Sequence, residues 1–425
     1  MLRVKDRAPS RVVSFAEASR IVRHQAAFLA RNAVVSRQTV PLLQSLGRVL
    51  AEPLAADRNQ PPFPRSTRDG FACHAAALTR GSRLRVIGQL RAGETWPAVP
   101  EVAGGEAVEI MTGAPVPAGA DCVVMLEHVG QDADAVYLLE NGKRVVVPGE
   151  NIVPAGAEAR QGQLILPAGV RISAAQIAIA AACGAAELSV FSRPRVAILS
   201  TGDELVELSQ QPLPHQIRNS NSYSLASQVL QAGAEPVMLA IARDDAQHLE
   251  ALIRTGLEAD LLLLSGGVSM GKYDLVEEVL LSFGAEFFFT GALIQPGKPV
   301  VFGRLRAPDR AKYFFGLPGN PVSTMVTFSL FVAPWLGALG GQPFSGPRFA
   351  KATLKREIRV KEGLTRFLPA ALDASPEGSP IDPTVELIAW QGSGDLSSTS
   401  RANCFLVVPS AQPTLSAGET VTILL

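Results

Sequence analysis

Little in this chain marks a secreted, membrane-embedded or nucleic-acid-binding protein. Its 425 residues include only four cysteines, Cys73, Cys122, Cys183 and Cys404, and no two are close in sequence. That scatter argues against a disulfide framework or a cysteine metal site, and a reducing cytoplasm is the expected compartment. Lys plus Arg and Asp plus Glu number 39 each, so no net charge draws the chain to nucleic acid or to an anionic membrane. No apolar run approaches the roughly 20 residues of a membrane span. The opening Met1-Leu2-Arg3-Val4-Lys5-Asp6-Arg7 lacks the apolar stretch of a signal peptide. The five histidines show no ligand spacing, and no Ser/His/Asp arrangement can be argued.

What the chain does have is apolar mass. Apolar residues are 47% and charged ones 18%, which predicts a large buried fraction that includes a subunit interface. The length exceeds what one core sustains, so several domains are expected. Ser14 followed by Glu17 reads as a capping box opening a helix to about residue 31, and a second short helix is expected over 42–51. Gln60-Pro61-Pro62-Phe63-Pro64 then breaks regular structure. Short β runs follow at 84–87, 107–111, 122–126, 136–139 and 144–147, and an Ala-rich helix at 174–182. From 195 to 340 strands and helices alternate, with strands at 196–200, 235–241, 261–265, 286–290, 300–302 and 313–316. Helices are expected there at 222–231, 246–256, 275–283 and 323–339. Beyond 347 the pattern returns to strands near 352–360, 387–389, 405–408 and 421–424.

The resulting fold class is multidomain α/β plus β. Residues 1–60 with 160–194 form an N-terminal mixed region, and 61–159 an inserted small β module. Residues 195–340 form a doubly wound α/β domain, and 341–425 a C-terminal β domain.

In such a sheet, ligands bind beyond the carboxyl ends of the strands. Three predicted strand ends carry suitable loops: Ser200-Thr201-Gly202-Asp203-Glu204, the segment from Ser265-Gly266-Gly267-Val268-Ser269 to Asp274, and Leu317-Pro318-Gly319-Asn320 leading to Ser323. Glycine backbone at a helix start suits an anion, and the carboxylates suit a divalent cation. Gly266, four residues, then Gly271-Lys272 nearly spells a P-loop, but Tyr273 stands where Ser or Thr must hold magnesium. A P-loop ATPase is therefore disfavoured. Lys298 is presented by the turn Pro296-Gly297-Lys298-Pro299. Taken singly, each of these features is also what an ordinary turn or solvated charge would show, and their recurrence on successive strand ends gives them weight. Two fragments outside this domain stand out, Ser66-Thr67-Arg68-Asp69-Gly70 and Met111-Thr112-Gly113-Ala114-Pro115.

Together these segments resemble the molybdopterin molybdenumtransferases, the MoeA family that includes the gephyrin E domain. The resemblance runs nearly end to end. It also takes in Ser45-Leu46-Gly47-Arg48, Pro148-Gly149-Glu150-Asn151, Arg218-Asn219-Ser220-Asn221, Arg243-Asp244-Asp245 and Gln391-Gly392-Ser393-Gly394-Asp395. It implies a homodimer that binds adenylylated molybdopterin and molybdate, releases AMP with the help of Mg2+, and leaves molybdenum on the dithiolene. Molybdopterin adenylyltransferase and molybdoenzymes are implied as further partners. Carried over by position, the catalytic residues are Asp69, Thr112, Glu204, Asp244 and Asp274, with Glu204 and Asp274 as metal ligands. Substrate contacts are assigned to Thr201, Gly202, Ser265, Gly266, Gly267, Ser269, Lys298, Pro318, Gly319, Asn320, Ser323, Arg366 and Ser393. Three departures are present: Glu158 follows Gly156-Ala157 where the family often has Gly-Glu-Asp, Gln295 and Gly291 replace lysines of some members, and Arg68 replaces an apolar residue. The preceding enzyme of the pathway, the adenylyltransferase, resembles only residues 195–340. A non-catalytic binding or scaffold protein on the same fold is the alternative, against which the intact acidic set argues.

Overall fold

The computed structural model describes residues 11–32, 36–97, 101–132, 134–139, 144–267, 275–306, 311–344, 346–373 and 383–425. Ser269 and Asp274, both expected in the site, lie outside the described residues. The chain divides into two compact units, one of residues 40–46 with 52–188, the other of 1–39, 47–51 and 189–425.

In the larger unit, a six-stranded sheet runs in the order Glu235–Met238, Arg195–Ser200, Leu261–Ser265, Lys312–Leu317, Val301–Leu305, Glu286–Phe289. The first four strands are parallel, Val301–Leu305 runs antiparallel to both its neighbours, and Glu286–Phe289 again runs with the first four. The leucine run shows why this strand is central. Leu261 and Leu263 pack on one face of the sheet, Leu262 and Leu264 on the other, and all four are buried. One face is covered by Phe15–Asn32, Ser220–Gln231 and the helical stretch from Pro321, the other by Ala246–Gly256 and Leu275–Ser282. An aromatic cluster fills the first face: Phe302 stacks on Phe315 with centroids 4.4 Å apart, and Trp335 meets Tyr313 at 4.6 Å.

The helical stretch Pro321–Leu339 corrects one expectation. Its 19 residues have mean hydropathy 1.6, long and apolar enough to cross a membrane, yet 78% of the stretch is buried within the protein. It is the core helix of this domain, with a π turn at Phe328–Val332 between two α segments.

The C-terminal strands close on themselves. Thr365–Asp373, Thr384–Leu387, Phe349–Leu354, Thr420–Leu424 and Cys404–Val408 pair in turn, and the last returns to the first, which makes a barrel around Leu354, Ala370, Leu406 and Ile423. The leading residues of Thr365–Asp373 also pair, parallel, with Ile294–Gln295.

The smaller unit is built on a six-stranded sheet ordered Cys122–Met125, Gly70–Cys73, Glu106–Ile110, Leu84–Leu90, Ala135–Leu138, Val129–Asp132. Cys73 and Cys122, 49 residues apart, face each other in register with sulfurs 3.7 Å apart. Both are free thiols, and their mutual hydrogen bond and burial push the Cys122 thiol up.

Two expected elements are absent. Residues 144–147 form no strand; Arg144 instead bonds the Glu150 carboxylate, and Gly149 donates to the Asp121 carbonyl at 2.7 Å. The expected helix over 42–51 shrinks to a 3-10 turn at Leu42–Ser45. Ser45 Oγ folds back on the Leu42 carbonyl at 2.6 Å, Gly47 takes φ +74°, and Leu50 bridges to Val190. The first helix starts as read, with Ser14 Oγ accepting the Glu17 N–H at 3.2 Å.

Candidate active site

Strand register assembles the site. Ser200 pairs with Ser265, and Ser265 with Leu317, so three successive parallel strands end level and release their loops side by side. These loops line a cavity of about 1160 Å³ in the larger unit. Of the residues expected there, Thr201, Gly202, Glu204, Asp244, Ser265, Gly266, Gly267, Pro318, Gly319 and Asn320 all line it.

The glycines are required by shape. Gly266 and Gly267 take φ of +85° and +60°, a region that side chains disfavour. A Cβ on Gly266 would stand 2.8 Å from the Thr201 carbonyl oxygen, and one on Gly267 2.5 Å from Thr201 Oγ1 and 2.8 Å from Val276 Cγ2. The two turns thus touch through bare backbone.

Charge of both signs is distributed around this backbone. Glu204 and Asp244 line the cavity as exposed carboxylates, and neither is in an ion pair among the described residues. Glu204 is held through its carbonyl, which accepts from Ile217 at 2.9 Å, and the Asp244 N–H donates to Asp203 at 3.4 Å. Arg218 and Arg243 supply the cations, Arg218 braced by donation to the Leu208 carbonyl at 3.1 Å. Among the described residues no three His, Cys, Asp or Glu side chains cluster closely enough to form a metal cage.

Four expected residues are not on the cavity wall. Lys298, Ser323, Arg366 and Ser393 are set back from it, although Pro299, Pro321 and Gly394 contribute. Ser323 is buried in the helix Pro321–Thr327, and the Ser393 carbonyl accepts from Val322 N–H at the start of that helix, at 3.0 Å. Arg366 pairs in register with Gln295, at the foot of the turn that presents Lys298. The residue is only 9% exposed, and while Nη2 donates to the Lys361 carbonyl at 2.8 Å, the buried Nε has no partner. Such a buried, half-satisfied cation suits an anion.

The short helix Leu396–Thr399 adjoins Ser393 and Gly394 and is capped by Asp395. The Ser398 hydroxyl, the Ser398 N–H and the Gln391 N–H hold the Asp395 carboxyl down to about 2. A depressed carboxyl stabilises the fold above its unfolded value near pH 4, and that contribution is lost as pH falls toward 2. The expected result for Asp395→Asn is a stability deficit at pH 6 that disappears near pH 2, read by urea unfolding across that range.

In the smaller unit, Asp69 and Thr112 form their own pair. Asp69 Oδ1 accepts from the Thr112 N–H at 2.6 Å and from the Thr112 hydroxyl at 2.7 Å, and these bonds lower the Asp69 pKa. Glu158 forms an ion pair with Arg65 at 2.8 Å.

Comparison with known proteins agrees with this geometry. Residues 13–184 match the MoeA N-terminal region (domain I and II), 197–338 a probable molybdopterin-binding domain, and 351–425 the MoeA C-terminal region (domain IV). A Nostoc sp. protein named molybdopterin molybdenumtransferase is 34% identical over 397 residues, 91% of this chain and 88% of its own. A Bacillus subtilis protein of the same name is 34% identical over 396 residues, 91% and 89% of the two chains. The chain belongs to the molybdopterin molybdenumtransferase family. A crystal structure of the molybdopterin biosynthesis moeA protein from Pyrococcus horikoshii superposes with a TM-score of 0.76 at 28% identity, over 98% of this chain and all of that one.

The cavity of this family member also contains residues to which the sequence reading assigned no role: Ile217, Arg218, Asn221 and Arg243. The runs Arg218-Asn219-Ser220-Asn221 and Arg243-Asp244-Asp245 carried the resemblance, but only Asp244 was given chemistry. An arginine or asparagine at a helix start reads as an ordinary surface residue until strand order brings it to a pocket.

Proposed function

We propose that this chain is a molybdopterin molybdenumtransferase: it binds adenylylated molybdopterin and molybdate, releases AMP and leaves molybdenum on the dithiolene sulfurs. The observation that carries this reading is the level ending of three parallel strands around one cavity that offers backbone glycine, arginine and carboxylate together. A phosphoanhydride needs all three: donors for its oxygens, close backbone approach, and carboxylates to share a cation.

Mg2+ fits the donor set. Glu204 and Asp244 line the cavity as carboxylates without a basic partner among the described residues, and Asp274 is a further ligand proposed from sequence. Mg2+ takes one or two carboxylates and keeps substrate oxygens and water for the rest. When bound it neutralises charge on the phosphate oxygens as the adenylate leaves. Arg218 and Arg243 orient the anhydride, and Gly266 and Gly267 let it approach the backbone. Arg366, Lys298, Ser323 and Ser393 serve the molybdate end; support comes from the unpartnered Arg366 Nε. Asp69, kept ionised by Thr112, serves from the β module. We place the enzyme in the cytoplasm as a homodimer, as the family resemblance implies.

The test is AMP release from adenylylated molybdopterin with magnesium, with and without molybdate, followed by chromatography. Molybdate-dependent AMP release is the expected result. Tight substrate binding with no AMP release under any condition would instead identify a binding protein built on the transferase fold.

A further inference from the structure

Two asparagines open the helix Ser220–Gln231, and they are used differently. Asn219 is turned inward. It accepts the Ser222 N–H at 3.2 Å and donates to Ser222 Oγ at 2.9 Å, and Ser222 Oγ meets Ser200 Oγ at 2.8 Å. That network is closed and buried. Asn221 is half-buried and lines the cavity. Its Nδ2 gives one hydrogen to the Gly319 carbonyl at 2.7 Å and one to Ser265 Oγ at 3.0 Å, partners 98 and 44 residues away in sequence.

These two bonds settle the orientation of the amide. A backbone carbonyl can only accept, so the end of Asn221 that meets Gly319 is the NH2 end. Both of its hydrogens are used. The remaining atom, Oδ1, receives no hydrogen bond from any described residue. This cavity-lining residue therefore has an amide oxygen that is neutral, fixed in direction and without a donor among the described residues. Glu204 and Asp244 are also acceptors, but as charged groups they favour cations; a neutral amide oxygen suits a neutral N–H donor.

We propose that Asn221 determines specificity by accepting, through Oδ1, a hydrogen bond from an exocyclic ring amine of the substrate. The proposal rests on reading the cavity as the adenylylated molybdopterin site. That substrate carries two such amines, on C6 of its adenine and on C2 of its pterin. The tie to Ser265 and Gly319 is what keeps the acceptor from rotating away.

The test compares ligands that carry this amine with counterparts in which an oxo group and an adjacent ring N–H replace it. Binding of AMP is measured against inosine 5′-monophosphate, and of neopterin against its lumazine counterpart, for the wild-type chain, Asn221→Ala and Asn221→Asp. In one of the two pairs the wild type should prefer the amine by on the order of tenfold, the effect of one neutral hydrogen bond, and the pair that shows it identifies the ring. Asn221→Ala should bring that ratio to about one. Asn221→Asp keeps an oxygen in place and should keep the ratio, although both ligands bind more weakly because its second oxygen now faces the Gly319 carbonyl. Equal weakening of both ligands in Asn221→Ala, with the ratio unchanged, would mean that Asn221 only ties loops together, and the proposal would be wrong. A wild type with no preference in either pair would overturn it too. A wild type that binds neither AMP nor neopterin would overturn the reading of the cavity as well.

Discussion

Gly267→Ala is expected to lower kcat/KM for adenylylated molybdopterin by ~100-fold or more, an effect of about 2.7 kcal/mol, while the protein still folds. Two costs combine. The left-handed backbone at φ +60° is strained for alanine by ~1–2 kcal/mol. In addition, the new methyl group would sit 2.5 Å from Thr201 Oγ1 and 2.8 Å from Val276 Cγ2, so a cavity residue must move. A misplaced positioning loop of this kind is costly to catalysis even when small in distance. Gly418→Ala is the matched control. It has φ +80° but nothing within 4 Å of the added Cβ, in a turn of the C-terminal barrel away from the cavity wall. Both variants should lose stability in thermal melts, Gly267→Ala the more because its methyl group also meets Thr201 and Val276, and only Gly267→Ala should lose activity. Equal kinetic losses in the two would show that the shape of the Gly266-Gly267 turn is not what the reaction uses.

Arg366→Met is expected to raise the KM for molybdate by ~100-fold or more and to leave the KM for adenylylated molybdopterin nearly unchanged. The residue is buried with Nε unpartnered, so in the free protein it is a burden. Replacing a poorly satisfied buried charge by an apolar chain of similar volume is often neutral or stabilising. The thermal midpoint should therefore stay level or rise as molybdate affinity collapses. A fall in the midpoint with unchanged molybdate kinetics would identify Arg366 as a structural residue, held by its bond to the Lys361 carbonyl.

How much of this could be read from sequence depended on how local the signal was. Leu261–Ser265 was legible because four leucines in a row fit a strand buried on both sides. Two central strands were missed. Gly70–Cys73 follows Asp69, and Asp-Gly reads as a turn; yet Gly70 is inside the sheet, where a Cβ could not pass the Val124 carbonyl. Thr365–Asp373 contains Pro369, which ordinarily argues against a central strand, but there it pairs with Phe405 in the barrel wall. The loops of the site were legible as glycine turns after apolar runs. Asn221 was not, because its partners are 44 and 98 residues away and only the sheet order joins them.

The strand Thr365–Asp373 has a consequence for how modular this protein is. Its first residues extend the ladder of Ile294–Gln295, and the rest closes the barrel. The barrel is thus spliced to the segment that leads into Lys298 rather than appended after it. Cutting the chain ahead of residue 349 would remove a domain and also take away the backbone splint under the lysine turn. The C-terminal domain cannot be treated as a detachable cassette, and a minimal form of this enzyme has to retain it.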